Sequence, residues 1–253
     1  CEMAFTYLVR KYYLPIIRLI QNNWTEFECA VGINAHGKQW NILTELVAKY
    51  GMDRIIAGDY AAFDKTASPE AMLASFDIMM DIAKLCGYSE RDLVVMRGLA
   101  TEISYPIYEL DGTIAQMYGS NPSGHPLTVI INNFMNSLYM RYAYYTLHAN
   151  EDVPLFHERV SLVCYGDDNV MSVHKDEDKF AMNKLVPILN SVGIKYTKAD
   201  KTEVKETDTF EHLHDVEFLK RAFVPNPTFG AYTAALAVSS IGKSLHNQME
   251  SKV

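Results

Sequence analysis

The sequence at residues 160–173 reads Val-Ser-Leu-Val-Cys-Tyr-Gly-Asp-Asp-Asn-Val-Met-Ser-Val. Residues 160–165 are rich in β-branched and aromatic side chains, and residues 170–173 alternate in part between apolar and polar. This pattern predicts two short strands joined by a tight turn at residues 166–169. The turn carries two adjacent carboxylates between apolar strands, and their role depends on what the rest of the sequence contains.

Asp167 and Asp168 are neighbours of like charge. Two such charges about 4 Å apart repel by roughly 4 kcal/mol at an effective dielectric constant near 20. The tip of a hairpin in water tolerates that cost, so Gly-Asp-Asp alone is compatible with a solvated turn. Oxygen ligands on a rigid turn also suit Mg²⁺. Other parts of the sequence must decide between these two interpretations.

The length and composition are those of a globular protein. The chain has 253 residues, enough for one large domain or two modest ones, with 49% hydrophobic and 21% charged residues. No apolar run reaches the roughly 18 to 20 residues that a membrane span requires. The cysteines are widely separated, which predicts reduced thiols and argues against a zinc site. They are Cys1, Cys29, Cys86 and Cys164.

The charge balance is acidic. The 23 Lys and Arg against 31 Asp and Glu give a formal net charge of −8, which by itself argues against nucleic-acid binding. The chain also opens inside a helical pattern without a starting Met, so we expect it to be a fragment of a longer protein.

A second pair of carboxylates follows an apolar segment near residue 55. Residues 54–59 predict a short strand that ends in Asp59, and Asp64 lies five residues further on. An Asp-x-x-x-x-Asp spacing is common by chance and identifies no site on its own.

A loop of small residues precedes the longest helical pattern. Residues 118–126 contain Gly, Ser, Asn and Pro, which exclude helix and strand, and a helix is predicted from about Leu127 to His148. Polar side chains, Thr128, Asn132 and Asn136 among them, interrupt its apolar frame. Buried amides require hydrogen-bond partners, so these side chains either bond neighbouring backbone or face a site. The pattern leaves both possibilities open.

Three local signals mark the ends of elements. Ser68 before Pro69 predicts a helix N-cap, and Ser89 with Asp92 resembles a capping box. Asp111-Gly112 between two β-rich segments is a strong hairpin signal.

Other elements are predicted from periodicity. These are a helix over residues 2–20 that Pro15 kinks or splits, an acidic loop over residues 149–158, a solvated helix from about residue 175 to 193, and a hairpin over residues 216–224 that ends before Pro225.

Four motifs occur together in a fixed order. They are Asp59 with Asp64, Ser123-Gly124 with Thr128 and Asn132, Tyr165-Gly166-Asp167-Asp168, and Phe218-Leu219-Lys220-Arg221. In this order they resemble the palm of a picornavirus-like, positive-strand RNA virus RNA-dependent RNA polymerase. Each motif alone is weak, whereas the set is specific and spans nearly the whole chain.

The resemblance implies a role for each matched residue. Asp59, Asp167 and Asp168 would bind the catalytic metals, and Lys201, in Ala-Asp-Lys, would protonate the pyrophosphate. Asp64 would contact the incoming ribose. The rest of the nucleotide site would be Ser123, Gly124, Thr128 and Asn132. The RNA primer and template would contact Tyr165, Lys220 and Arg221.

The resemblance also implies an activity and a setting. Template-directed RNA synthesis would use two Mg²⁺ ions, with Mn²⁺ as a possible substitute, for in-line attack of a 3′-hydroxyl on an α-phosphate. Its partners would be RNA template and primer, nucleoside triphosphates and other viral replication proteins, in replication complexes of the host cytoplasm. The alternatives are a reverse transcriptase, which shares the Tyr-x-Asp-Asp hairpin, and a non-catalytic RNA-binding domain with exposed aromatics in place of carboxylates.

The implied fold class is α+β. We expect a palm with an antiparallel, RNA-recognition-motif-like βαββαβ sheet backed by helices, a partial helical fingers region and the start of a thumb. The boundaries would be residues 1–68 for palm with adjoining fingers, 69–122 for a fingers insertion, 123–225 for palm and 226–253 for the truncated thumb.

Two parts of the family pattern are missing from the sequence. The basic fingers motif that binds the triphosphate would precede residue 1, and most of the thumb would follow residue 253. Because the strongest basic contribution to the nucleic-acid channel would lie in these parts, the acidic net charge argues less strongly against nucleic-acid binding. We therefore expect the isolated chain to bind divalent cations but to bind RNA weakly and to synthesise none processively.

Overall fold

The computed structural model describes residues 3–121, 123–149, 151–199 and 201–246, which form an α+β fold. The helices are α1 Met3–Asn22, α2 Lys38–Val47, α3 Phe63–Thr66, α4 Pro69–Leu85, α5 Glu90–Ser104, α6 Thr128–Leu147, α7 Phe156–Arg159, α8 Met182–Ser191 and α9 Val238–His246. The strands are β1 Ile55–Tyr60, β2 Ile107–Leu110, β3 Thr113–Gln116, β4 Val160–Tyr165, β5 Asp168–Val173, β6 Tyr196–Lys198, β7 Glu217–Phe218, β8 Arg221–Asn226 and β9 Ala231–Leu236.

The central sheet has the strand order β4-β5-β1-β6, and each of its pairs is antiparallel. Helices α4 to α6 lie in the connection from β1 to β4, and α8 lies between β5 and β6. The sheet therefore follows the strand–helix–strand–strand–helix–strand order that the resemblance implies. A two-stranded sheet β2-β3 and a three-stranded sheet β7-β8-β9 complete the architecture.

Both faces of the central sheet are buried. Ile56 of β1 packs into a large core formed mainly with α1, α4, α5, α6 and α8, whereas Ile55 and Ala57 face a second core with α2 and the β7-β8-β9 sheet. Successive side chains of a strand point to opposite faces, which explains why this strand is continuously apolar. The sheet is thus held rigidly from two sides.

The predicted local signals are confirmed. The Ser68 side chain accepts a hydrogen bond from the backbone N–H of Ala71, and Ser89 with Asp92 forms a capping box. Asp111 and Gly112 take positive φ angles of 49° and 83°, as the turn of the β2–β3 hairpin requires.

Several predicted boundaries need correction. Helix α1 continues through Pro15 without a break, and a short helix, α7, interrupts the predicted loop over residues 149–158. The turn between β4 and β5 has two residues, because Tyr165 already pairs with Asp168.

The helix predicted from residue 175 begins at Met182 instead. Glu177 is only 5% exposed: its carboxylate lies 3.2 Å from the ring of His148 and accepts the backbone N–H of Phe180. Glu177 therefore turns inward to pair with His148, whereas Lys175, Asp176 and Asp178 stay exposed, and the run forms no helix.

Strand β8, which was predicted to end before Pro225, continues through this residue to Asn226. The reason is that β9 pairs with it along its whole length. Strand β7 ends at Phe218 and does not extend alongside Pro225. The proline, which has no N–H, therefore breaks no hydrogen bond to β7.

Among the described residues, Cys29, Cys86 and Cys164 are free thiols, and Cys1 lies outside them. No described helix combines the length and the apolar character needed to cross a membrane.

Candidate active site

The predicted acidic residues converge at one end of the central sheet. In the register of β1 and β5, Gly58 lies opposite Asn169, so the next residue of β1, Asp59, is level with Asp168. Asp167 occupies the turn beside them. The carboxylates of Asp59 and Asp64 both act electrostatically on Asp167. The structure therefore brings the carboxylates of two motifs, far apart in sequence, into one cluster.

A lysine faces this cluster. The Lys201 Nζ lies 3.0 Å from Asp59 Oδ2, and Asp59 is only 7% exposed. Lys201 has a positive φ of 68° and its N–H bonds the Lys198 carbonyl, which turns the chain back toward β1. The hydrogen bond to Asp59 raises the pKa of Lys201. Asp200, the other charge of the predicted turn, lies outside the described residues.

The two carboxylates of the hairpin have raised pKa values because they are partly shielded from water and close to other carboxylates. Loss of surrounding water, followed by repulsion from Asp167 and Asp59, raises the pKa of Asp168 to about 6. Loss of water and repulsion from Asp59 likewise raise the pKa of Asp167. A divalent cation would relieve this repulsion, and an oxygen-only donor set fits Mg²⁺ or Mn²⁺. Within the described ranges, however, no three acidic, His or Cys side chains are already arranged to hold a metal.

The raised pKa of Asp168 predicts a pH-dependent stability. An unfolded chain has an Asp pKa near 3.9, so between about pH 4 and pH 6 the folded state binds the proton more tightly and stability falls as pH rises. Asp168→Asn removes the charge, and we expect it to raise the free energy of unfolding by about 1 to 2 kcal/mol at pH 7.5 after allowance for screening. Denaturant unfolding in EDTA should show almost no gain at pH 4. An equal gain at both pH values would contradict this explanation.

A buried amide that no motif includes holds the hairpin. The Asn136 Nδ2 on α6 donates to the carbonyls of Gly166, Asp167 and Asp168 at 3.1, 2.9 and 3.3 Å. Its Oδ1 accepts from the Tyr60 hydroxyl at 3.0 Å and from Asn169 at 2.8 Å. Asn136 is fully buried, so it fixes the backbone of the turn that carries the carboxylates.

The same network extends across the sheet. Asn169 Oδ1 accepts from the Tyr196 hydroxyl at 2.6 Å. The Tyr196 ring lies against Gly58, where an added Cβ would come within 2.1 Å of it. Only glycine fits there, immediately before Asp59. Because the partners lie on four different elements, sequence spacing gave no signal for this network beyond the polar character of Asn136.

The loop before α6 is anchored beside Asp64. The Asn121 backbone N–H donates to the Asp64 carbonyl at 2.8 Å, and the Asn121 Nδ2 donates to Asn132 Oδ1 at 2.7 Å. Ser123 and Gly124 lie exposed on the bend that follows. Asn132 is 8% exposed, so it is nearly buried at this position. Asn121 is a residue that sequence reasoning missed, whereas for Asn136 the sequence indicated a polar side chain without its role.

Of the remaining predicted residues, Lys220 lies near the carboxylates, whereas the side chains of the others make contacts elsewhere. Lys220 sits in the β7–β8 turn with a φ of 57°, and its charge acts on the Asp168 carboxylate, so it belongs to the site. The Arg221 guanidinium instead donates to the Ala234 carbonyl at 2.9 Å, which ties β8 to β9. Tyr165 is half-buried between the two cores, and Thr128 donates its hydroxyl to the His125 carbonyl at 3.0 Å.

An open cleft of about 600 Å³ includes Lys201, which contacts Asp59, in its lining. Four lysines line it, Lys198, Lys201, Lys220 and Lys243, with Glu211, Asp215 and Glu217 between them. The lining is therefore of mixed charge, and two of its lysines are already ion-paired: Lys198 with Asp208 and Glu211, and Lys201 with Asp59.

Comparison with known proteins identifies relatives among viral polyproteins. The family model described as viral RNA-dependent RNA polymerase matches residues 1–248. The chain is 31% identical over 255 residues to the RNA1 polyprotein of Broad bean wilt virus 1, covering 99% of the chain and 14% of the polyprotein. It is 29% identical over 233 residues to the replicase polyprotein of Cricket paralysis virus, covering 87% of the chain and 13% of that polyprotein.

A solved structure shares the fold. A Sicinivirus 3Dpol RNA-dependent RNA polymerase superposes with a TM-score of 0.65 at 21% sequence identity, over 86% of this chain and 43% of that one. The chain thus spans less than half of that polymerase and about one seventh of the polyproteins. The resemblance to picornavirus-like polymerases is confirmed by these matches. The chain belongs to the family of viral RNA-dependent RNA polymerases.

Proposed function

We propose that this chain carries the catalytic centre of template-directed RNA synthesis in a positive-strand RNA virus. The observation that carries the proposal is the convergence of Asp59, Asp167 and Asp168 at one end of the sheet, with Lys201 in contact with Asp59. Residues 1–68 and 123–225 would be the palm, residues 69–122 a fingers insertion, and residues 226–253 the start of a thumb, of which residues 247–253 lie outside the described ranges.

The metal chemistry follows from the donor set. Asp59 and Asp167, assisted by Asp168, would hold two Mg²⁺ ions, which lower the pKa of the attacking 3′-hydroxyl and neutralise the triphosphate when bound. The raised pKa values of Asp167 and Asp168 support this role, because crowded carboxylates gain most from a bound cation. Mn²⁺, with the same preference for oxygen ligands, could substitute.

The remaining residues would orient the substrate and move its proton. Lys201 would deliver a proton to the leaving pyrophosphate. Lys220 would support the primer end through its charge, and Arg221 would do so through the β8–β9 contact. Tyr165, at the end of β4, would also support the primer end. Lys201 and Lys220, whose charges lie beside the carboxylates, would attract the triphosphate despite the net charge of −8.

The partners and setting follow from the same proposal. RNA template, primer and nucleoside triphosphates would be the ligands, and other viral replication proteins would assemble with the enzyme at replication complexes in the host cytoplasm. The replicase and RNA1 polyproteins that the chain matches support this setting.

Sugar selection separates this proposal from a reverse transcriptase. Asp64, Ser123 and Asn132, with Gly124 and Thr128 shaping the loop, would form the pocket for the ribose 2′-hydroxyl, the group that distinguishes RNA precursors. A site built to bond that hydroxyl leaves polar groups unpaired when the hydroxyl is missing. The test is single-nucleotide incorporation by the full-length polymerase on an RNA template, with ribonucleotides and deoxyribonucleotides in parallel. Preference for deoxyribonucleotides would favour the reverse transcriptase, and no incorporation at all would favour a non-catalytic RNA-binding domain.

A substitution makes this test specific. Asn132→Ala should lower the ribonucleotide preference by roughly 1 to 3 kcal/mol, the cost of an unpaired buried partner. The measurement is the ratio of kcat/KM for the two sugars. An unchanged ratio would give Asn132 a structural role only. Asn190→Ala, on the exposed surface of α8, is the matched control.

A further inference from the structure

A chain of hydrogen bonds leads from a histidine to the amide of Asn132. The Leu127 backbone N–H donates to His125 Nδ1 at 3.2 Å, and His125 Nε2 lies 2.8 Å from Asn121 Oδ1. Asn121 Nδ2 then reaches Asn132 Oδ1 at 2.7 Å. Asn121 is 1% and His125 8% exposed, so solvent does not compete for these bonds.

The direction of every bond in this chain is determined. Because His125 Nδ1 accepts from an N–H, the proton of the neutral ring is on Nε2, which must donate to Asn121. Burial lowers the pKa of His125 to about 4, which keeps the ring neutral at working pH. The oxygen of the Asn121 amide therefore faces His125 and its nitrogen faces away.

A second contact fixes the same orientation independently. Asn121 Nδ2 also lies 3.1 Å from the Thr128 carbonyl, which can only accept. The amide nitrogen of Asn121 must therefore point toward α6, and the atom of Asn132 that meets it must be the oxygen. This leaves Asn132 Nδ2 directed away from Asn121.

We propose that Asn121, held by His125, is a positioning residue that determines sugar choice by presenting Asn132 as a hydrogen-bond donor to the nucleotide. The inference rests on the proposed function. The Asn121 backbone N–H also donates to the Asp64 backbone carbonyl, so one residue contacts the backbone of Asp64 and the side chain of Asn132, the two residues assigned to the 2′-hydroxyl.

The chemistry of a hydroxyl explains why the orientation matters. A 2′-hydroxyl has one proton, which it can donate to the Asp64 carboxylate while its oxygen accepts from Asn132 Nδ2. If the Asn132 amide were reversed, the hydroxyl would face two acceptors with a single proton. One acceptor would then stay unpaired beside Asn132, which is only 8% exposed, and the preference for ribonucleotides would fall.

Asn121→Asp tests this with almost no change in shape. An oxygen replaces Nδ2 and meets the acceptor oxygens of Asn132 and Thr128, which drives the Asn132 amide to reverse. We expect the ratio of kcat/KM for ribonucleotide over deoxyribonucleotide to fall about tenfold or more. A 2′-amino-2′-deoxynucleotide, which has two protons to donate, should improve relative to the ribonucleotide in the variant. A folding defect would lower all three substrates together and could not produce that gain.

The controls separate the possible failures. Asn190→Asp, the same change on the surface of α8, should leave both ratios at their original values. In an Asn132→Ala background, Asn121→Asp should have no further effect on the ratio. If the unmodified enzyme shows no preference for ribonucleotides, the proposed function itself is wrong. If it does, but Asn121→Asp retains the original ratio and gains nothing with the 2′-amino substrate, Asn121 does not position Asn132.

Discussion

Replacement of Asp167 by Asn should reduce nucleotide incorporation by several orders of magnitude while the protein stays folded. The carboxamide has nearly the shape of the carboxylate but supplies a neutral oxygen, so the proposed metal pair would lose a charged ligand and the transition state would lose electrostatic support. The fold should survive because Asn136 holds this turn through the carbonyls of residues 166–168, which the substitution does not alter.

The measurement is single-turnover incorporation with saturating Mg²⁺, together with a thermal unfolding curve of the same protein. Asp111→Asn is a matched control, since Asp111 is exposed at the tip of the β2–β3 hairpin, and Asn-Gly suits that turn equally well. Near-normal incorporation by the Asp167 variant would remove this residue from the catalytic centre.

Replacement of Lys201 by Leu should slow the chemical step by about 10² to 10⁴, the usual contribution of a general acid. The physical reason is the position of Lys201, whose ammonium reaches Asp59 at 3.0 Å and so lies at the edge of the carboxylate cluster. A solvent deuterium isotope effect on the single-turnover rate should weaken in the variant, whereas affinity for RNA should change little.

A second substitution separates proton transfer from charge. Lys201→Arg keeps a cation beside Asp59 but cannot release its proton at working pH, so it should be nearly as slow as Lys201→Leu. Lys184→Leu, an exposed lysine on α8, is the control. Full activity of the Arg variant, or a defect confined to RNA binding, would make Lys201 an electrostatic or phosphate contact.

Local chemistry predicted much of this fold. The caps at Ser68 and Ser89 and the Asp111-Gly112 turn depend on residues within three positions of one another, and the structure has all of them. Asp59 could be placed at a strand end for the same reason. Such features need no knowledge of what packs above or below them.

The parts that were missed depend on distant partners. Asn136 acts on a turn about 30 positions later in the chain, and Glu177 is buried by His148, whose proximity no spacing rule anticipates. For this reason the sequence of residues 175–178 predicted the start of a solvated helix, and that prediction was wrong. Asn121 was missed for the opposite reason: it lies in a loop whose composition indicated only the absence of regular structure. In each case a polar side chain was visible, and its role came from tertiary contacts.

The most direct test of the account is primer extension on a defined RNA template by the full-length polymerase that contains these residues. With Mg²⁺ and four ribonucleotides the primer should reach the end of the template, and omission of CTP should stop it one position before the first templated G. The Asp167→Asn variant should give no extension under either condition. Extension that ignores the omitted nucleotide, or that proceeds equally well in the Asp167→Asn variant, would contradict a templated synthesis directed by these carboxylates.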